Sequence, residues 1–190
     1  MMTPDEILGL VVEELELRSV PYMVVGSFAT SFWGRPRATH DVDLVVQIPV
    51  AVTQDLASAL DDRFYADAES MRQAVEQYSQ FNLVHLDTGF KIDFWVLGTD
   101  PYRCEAFQRR RREPLLSGGR LVYISSPEDA ILSKLLWYRE TQWEQDFQDA
   151  LGVYEIQRGR LDEIYIAEWV TSLGLNELWA RLQTEAVQPG

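Results

Sequence analysis

One cysteine, Cys104, stands in the whole chain, so no disulfide can join two parts of it, as fits a reducing compartment. Cys104 lies in YRCEAF with no base beside it and reads as a small packed thiol. No apolar run approaches the ~20 residues that a bilayer span needs. The opening MMTPDEILGL is acidic and lacks the basic start of a secretory leader. These absences predict a cytoplasmic protein with no membrane contact. Positive charge is scarce as well: 17 Lys and Arg against 30 Asp and Glu leave a net charge of −13. That excludes a nonspecific grip on long nucleic acid, which needs a basic surface. A small anionic ligand is still allowed, because positive charge can be local. Arg35 and Arg37 form one concentration and Arg109 to Arg112 another. The second reads as a solvated helix end, whose cations complement the carbonyl-rich C-terminus.

What is present is a globular composition, with 46% apolar and 12% aromatic residues among 190. The pattern predicts an α+β class in two parts: residues 1–125 as a small mixed β-sheet core flanked by helices, and 126–190 as a helical C-terminal segment. Thr3-Pro4 opens a first helix with acids in its first turn. Tyr22 to Val25 is β-rich and stops at Gly26. A short helix follows from Ser27, and a strand from Asp41 to Ile48. Helices are predicted over Pro49 to Leu60, Glu69 to Tyr78 and Pro101 to Arg110. Residues 81–86 and 91–97 read as strands joined by the hairpin signal Asp87-Thr88-Gly89. Gly118-Gly119 is a turn, and RLVYI reads as the last strand. Ser126-Pro127-Glu128-Asp129 is a strong helix start, and three or four amphipathic helices follow it. The closing VQPG is expected to fray.

The stretch VVGSFATSFWGRPRATHDVDLVV, residues 24–46, carries the chemistry. Alternate strand residues share a face with Cα atoms ~6.6 Å apart. Asp41 and Asp43 therefore project together while Val42 and Leu44 face the core. Two neighbouring carboxylates resist ionising beside each other, and a divalent cation removes that conflict. Hard oxygen ligands on a rigid strand suit Mg²⁺, which keeps waters and takes substrate phosphates as further ligands. Asp93, in KIDFWVL, is a carboxylate on an otherwise apolar strand, costly to bury unless paired or metal-bound. If its strand adjoins that of Asp41 and Asp43, three carboxylates converge, enough for two metal ions in an in-line phosphoryl or nucleotidyl displacement. Gly26-Ser27 offers a sharp turn and a helix N-terminus, a cradle for phosphate. Arg37, on the connection to the Asp pair, is within reach of such a phosphate. His40 is expected to face away from the pair, and His85, in FNLVHL, to be structural. Lys134 sits at helical spacing from Ile131 and Tyr138, where it either snorkels from a packed helix or serves the site.

The order Val25-Gly26-Ser27, thirteen residues, Asp41-Val42-Asp43-Leu44, then Ile92-Asp93-Phe94 resembles the polymerase-β-type nucleotidyltransferase superfamily. GRPRATHDVDLVV and the later SPEDAILSKLLWYRE and QDALGV are similar, more narrowly, to bacterial nucleotidyltransferase-like proteins related to the AbiEii toxins. The resemblance implies a nucleotidyltransferase that moves an NMP from an NTP such as ATP to a hydroxyl acceptor: a tRNA, a protein or a small molecule. It implies Mg²⁺, as two ions, held by Asp41, Asp43 and Asp93. Gly26, Ser27 and Arg37 would bind the nucleotide, and Lys134 would act near the phosphates. Asp149 matches a downstream acidic position. The narrower likeness implies a place in a toxin–antitoxin pair with an antitoxin-like partner. The alternative is a non-catalytic protein that keeps this fold and binds nucleotide or a partner.

Overall fold

A computed structural model describes residues 2–186, and the VQPG end lies outside them. In chain order the elements are α1 (Pro4–Leu17), β1 (Tyr22–Val25), α2 (Gly26–Trp33), β2 (Asp41–Val46), α3 (Thr53–Leu60), β3 (Phe64–Tyr65), α4 (Ala68–Glu76), β4 (Gln80–His85), β5 (Lys91–Val96), α5 (Pro101–Gln108), β6 (Arg111–Leu116), β7 (Arg120–Ile124), α6 (Pro127–Thr141), α7 (Glu144–Gln157), α8 (Glu163–Ser172) and α9 (Asn176–Glu185). The fold is α+β, with a mixed sheet and a helical C-terminal part. The chain divides into two compact units. One comprises the segment ending at Val25 together with Thr39–Ile124; the other comprises Gly26–Ala38 together with the described residues from Ser125 onward. The sequence reading, which divides the chain into 1–125 and 126–190, does not foresee that α2 groups with the C-terminal helices.

The first unit holds the whole sheet, in the order β3-β4-β5-β2-β1-β7-β6. Apolar alternation sets which way each strand faces. Val42, Leu44 and Val46 on β2, Ile92 and Phe94 on β5, and Leu83 on β4 are all buried. Buried Leu8, Val11 and Leu15 of α1 and Leu56 and Leu60 of α3 belong to the same core. β2 pairs in parallel with β5 and antiparallel with β1. On the opposite face, Phe107 and Cys104 of α5 pack with Met23, Val25, Val45 and Leu97. Cys104 thus fills a small apolar cluster, its thiol donating to the Gly98 carbonyl at 3.3 Å.

Several boundaries move. β2 stops at Val46, and a single 3₁₀ turn at Val50–Val52 precedes α3. α4 ends at Glu76, and Tyr78 just beyond it takes a left-handed φ of 50°. The arginine run is not a helix end throughout. Arg109 caps α5, but Arg111 and Arg112 lie on β6, a strand absent from the sequence reading. Charge and Pro114 hide it, and its place at the sheet edge tolerates both. Arg110 stacks its guanidinium over Phe107 and Tyr123, at 4.3 and 4.9 Å from the ring centres.

The second unit is helical. Ser126 caps α6 by accepting from the Asp129 N–H. Gly34 follows α2 at a point where an added Cβ would lie 2.7 Å from Val153 N and 2.9 Å from Thr30 O. Only glycine allows α2 and α7 to approach so closely. Among the described residues no helix is long and apolar enough to cross a membrane.

Candidate functional site

The register of β2 and β5 places the carboxylates. Asp43 pairs with Asp93, and Asp41 with Lys91. Register partners on adjoining strands share a face and stand ~4.8 Å apart, so Asp41, Asp43 and Asp93 occupy one face of the sheet, opposite the core. All three are half-buried. Their side chains are engaged with protein groups. Thr39 Oγ1 donates to Asp41 Oδ1 at 2.8 Å, and Trp95 Nε1 donates to Asp43 Oδ1 at 3.1 Å. The Lys91 ammonium lies 2.7 Å from Asp93 Oδ1. Among the described residues, no three His, Cys, Asp or Glu side chains are grouped closely enough to hold a metal ion. The donor set nevertheless fits a divalent cation by its chemistry, hard oxygens fixed by strand register, with the Lys91 ammonium as a competitor for one of them, Asp93. His40, next to the pair, is exposed. His85 is 2% exposed and bonded through Nδ1 to Thr88 Oγ1 at 3.0 Å, a packed residue at the end of β4.

In the helical unit a second set of predicted residues comes together. Gly26 has a φ of 63°, the left-handed conformation that turns a strand end into a helix start. Ser27 Oγ accepts from Arg37 Nη2 at 2.6 Å. The same guanidinium forks onto Asp149, with Nε to Oδ1 and Nη2 to Oδ2 both at 2.9 Å. Lys134 is 6% exposed. Its ammonium lies 2.7 Å from Asp146 Oδ1 and 3.0 Å from Asp149 Oδ2. Gln145 adds a bond to Asp149 Oδ1 at 2.9 Å. Burial pulls the Asp149 pKa upward. The bonds from Arg37 and Gln145 and the charge of Lys134 outweigh it and hold the carboxyl below its usual value. Arg35 stands apart, paired at 2.5 Å with Glu155.

Ser27, Arg37, Lys134 and Asp149 thus form one network. Lys134 reaches it as a buried member of two ion pairs rather than as a free cation. The sequence reading missed Asp146 and Trp95, whereas Lys91, with Arg103, was an expected ion-pair partner of Asp93, and Lys91 forms that pair. Asp146 had a signal: it stands three residues before Asp149 on a helix with an apolar face, so the two carboxylates project together.

No family model matches the chain, and no curated protein does. Solved structures do match. The antibiotic-resistance factor ANT(2'')-Ia, in its solution structure, aligns over 93% of this chain and 96% of its own at 14% identity, with a TM-score of 0.59. An antigenic nucleotidyltransferase-like protein from Paracoccidioides brasiliensis aligns over 94% and 91% at 17% identity, with a TM-score of 0.57. The likeness spans both units and is one of fold.

Proposed function

We propose that this chain is a Mg²⁺-dependent nucleotidyltransferase of the polymerase-β type, moving an NMP from an NTP to a hydroxyl acceptor. The observation that carries the reading is the strand register: Asp41, Asp43 and Asp93 share one face of adjoining parallel strands. The shared fold with a nucleotidyltransferase-like protein supports it. Asp41, Asp43 and Asp93 are the residues that would hold the metal. Two Mg²⁺ ions bound there would supply electrostatic stabilisation of the α-phosphate and of the departing pyrophosphate. Asp93 takes the proton of the acceptor hydroxyl. The acceptor oxygen bonds to the α-phosphorus, the bond from that phosphorus to the α–β bridging oxygen breaks, and pyrophosphate leaves. Thr39 and Trp95 orient Asp41 and Asp43 for this work. Within the helical unit, Ser27, the amides at the start of α2 and Arg37 are the groups suited to a phosphate. Lys134 acts as a positioning residue, since it braces the Asp149 carboxylate that fixes Arg37. A pairing with an antitoxin-like protein is part of the proposal only through the likeness of the SPEDAILSKLLWYRE segment.

The test is a thermal-shift panel of ATP, GTP, CTP and UTP, with and without Mg²⁺, on wild type and Asp43→Asn. A nucleotide at ~100 times its Kd stabilises by about 2.7 kcal/mol. A Mg²⁺-dependent shift that Asp43→Asn abolishes is expected. No shift with any nucleotide would refute the reading, and binding without detectable transfer would favour the non-catalytic alternative.

A further inference from the structure

Strand β4 runs from Gln80 to His85, but its outer neighbour β3 is two residues long and pairs only with Val84 and His85. The bonds at the end of β4 fix which way its backbone points. His85 N–H donates to the Phe90 carbonyl, on the β5 side, and Leu86 N–H donates to the Arg63 carbonyl, on the β3 side. Backbone groups alternate along a strand. Gln80 and Asn82 therefore direct their N–H and C=O away from β5, past the end of β3. Their side-chain amides lie on the carboxylate face, because Asn82 is the register partner of Asp93 and Gln80 that of Trp95. Tyr65, partner of Val84, joins the same face with 68% of its surface exposed.

A cavity of about 270 Å³ lies at this open edge, lined by Tyr65, Asp67, Ser70, Met71, Gln80 and Asn82 among others. No lysine or arginine lines it. Asp67 stays a carboxylate, because the Ser70 hydroxyl and the first amides of α4 hold its pKa below the usual value. Amides, a hydroxyl, a carboxylate, an exposed ring and outward-facing backbone groups suit a ligand rich in hydroxyls. The absence of cationic lining disfavours a phosphate or a nucleic-acid backbone.

We propose that this cavity is an acceptor subsite for a small hydroxyl-rich molecule, neutral or cationic, of about one sugar ring. Asn82 holds the ring so that one hydroxyl lies beside Asp93. The inference rests on the nucleotidyl-transfer reading for its chemistry, while the site itself can be tested without nucleotide. The experiment is an NMR titration of the ¹⁵N-labelled full chain with glucosamine, and separately with glucose 6-phosphate. Glucosamine is expected to shift the side-chain amides of Asn82 and Gln80. Asn82→Ala, an exposed substitution whose fold is checked by its melting temperature, is expected to weaken that binding about tenfold. Glucose 6-phosphate is expected to leave the amides unmoved. Silence from these amides with glucosamine, or an equal response to glucose 6-phosphate, would overturn the site. The nucleotide panel on wild type and Asp43→Asn separates the two claims: glucosamine binding that persists where no nucleotide binds supports the cavity and counts against the transfer reading.

Discussion

Lys134→Met tests the buried ion network of the helical unit most directly. Lys134, Asp146 and Asp149 have side chains only 8, 8 and 5% exposed, so their charges are largely stripped of water. With Arg37 the group holds two cations and two carboxylates. Removing the ammonium leaves Asp149 with Arg37 and Gln145, but among the described residues Lys134 is the only side chain paired with the Asp146 carboxylate. Breaking a buried pair from one side costs about 3–5 kcal/mol. For a chain of this size that lowers Tm by roughly 6–20 °C. Urea unfolding followed by tryptophan fluorescence is the suitable assay: Trp33, Trp137, Trp143, Trp169 and Trp179 all lie in the helical unit, and only Trp95 lies outside it. The double variant Lys134→Met/Asp146→Leu removes the stranded charge and is expected to recover most of the loss. A single-variant cost below ~1 kcal/mol, the range of exposed pairs, would refute the reasoning. So would a double variant no more stable than the single.

Further outcomes follow from the same geometry. Asp149 has a depressed pKa in the folded state, so its contribution is present above the ordinary carboxylate pKa of ~3.9 and is lost as pH falls through the lower folded value. Asp149→Asn should therefore flatten the acid limb of a urea-midpoint profile measured from pH 6 downward. Gly34→Ala drives a methyl into the Val153 and Thr30 backbone, where nothing can rotate away, and should cost more than ~2 kcal/mol in calorimetry. Lys91→Met frees the Asp93 carboxylate from its ammonium partner and should tighten Mn²⁺ binding, read by paramagnetic relaxation without nucleotide. Unchanged or weaker binding would show that Lys91 does not compete for that carboxylate.

Periodicity made much of this legible. The alternation in DVDLVV and KIDFWV announced two strands with one apolar face, and the same alternation put the carboxylates together on the other. Their parallel pairing was not written in either strand; it depends on the whole sheet. β6 escaped because RREPLL has an edge strand's charge and proline rather than an apolar alternation. β3 escaped because two residues carry no period. Within the candidate site, Gly26, Ser27, Arg37 and Asp149 were visible as types at suggestive places. That Arg37 and Lys134 meet on the Asp149 carboxylate was not, since the Arg37 contact joins residues more than a hundred positions apart.

The allotment of α2 to the helical unit bears on synthesis. The ribosome releases Gly26–Ala38 well before α6 and α7, with all of Thr39–Ile124 in between. At ~5–20 residues per second that interval is about 4–17 s. Throughout it Arg37 lacks its carboxylate and Gly34 its neighbouring backbone. A gene cut at residue 125 would make the wait permanent, yielding one fragment with an orphan helix and another with Asp149 short of its guanidinium.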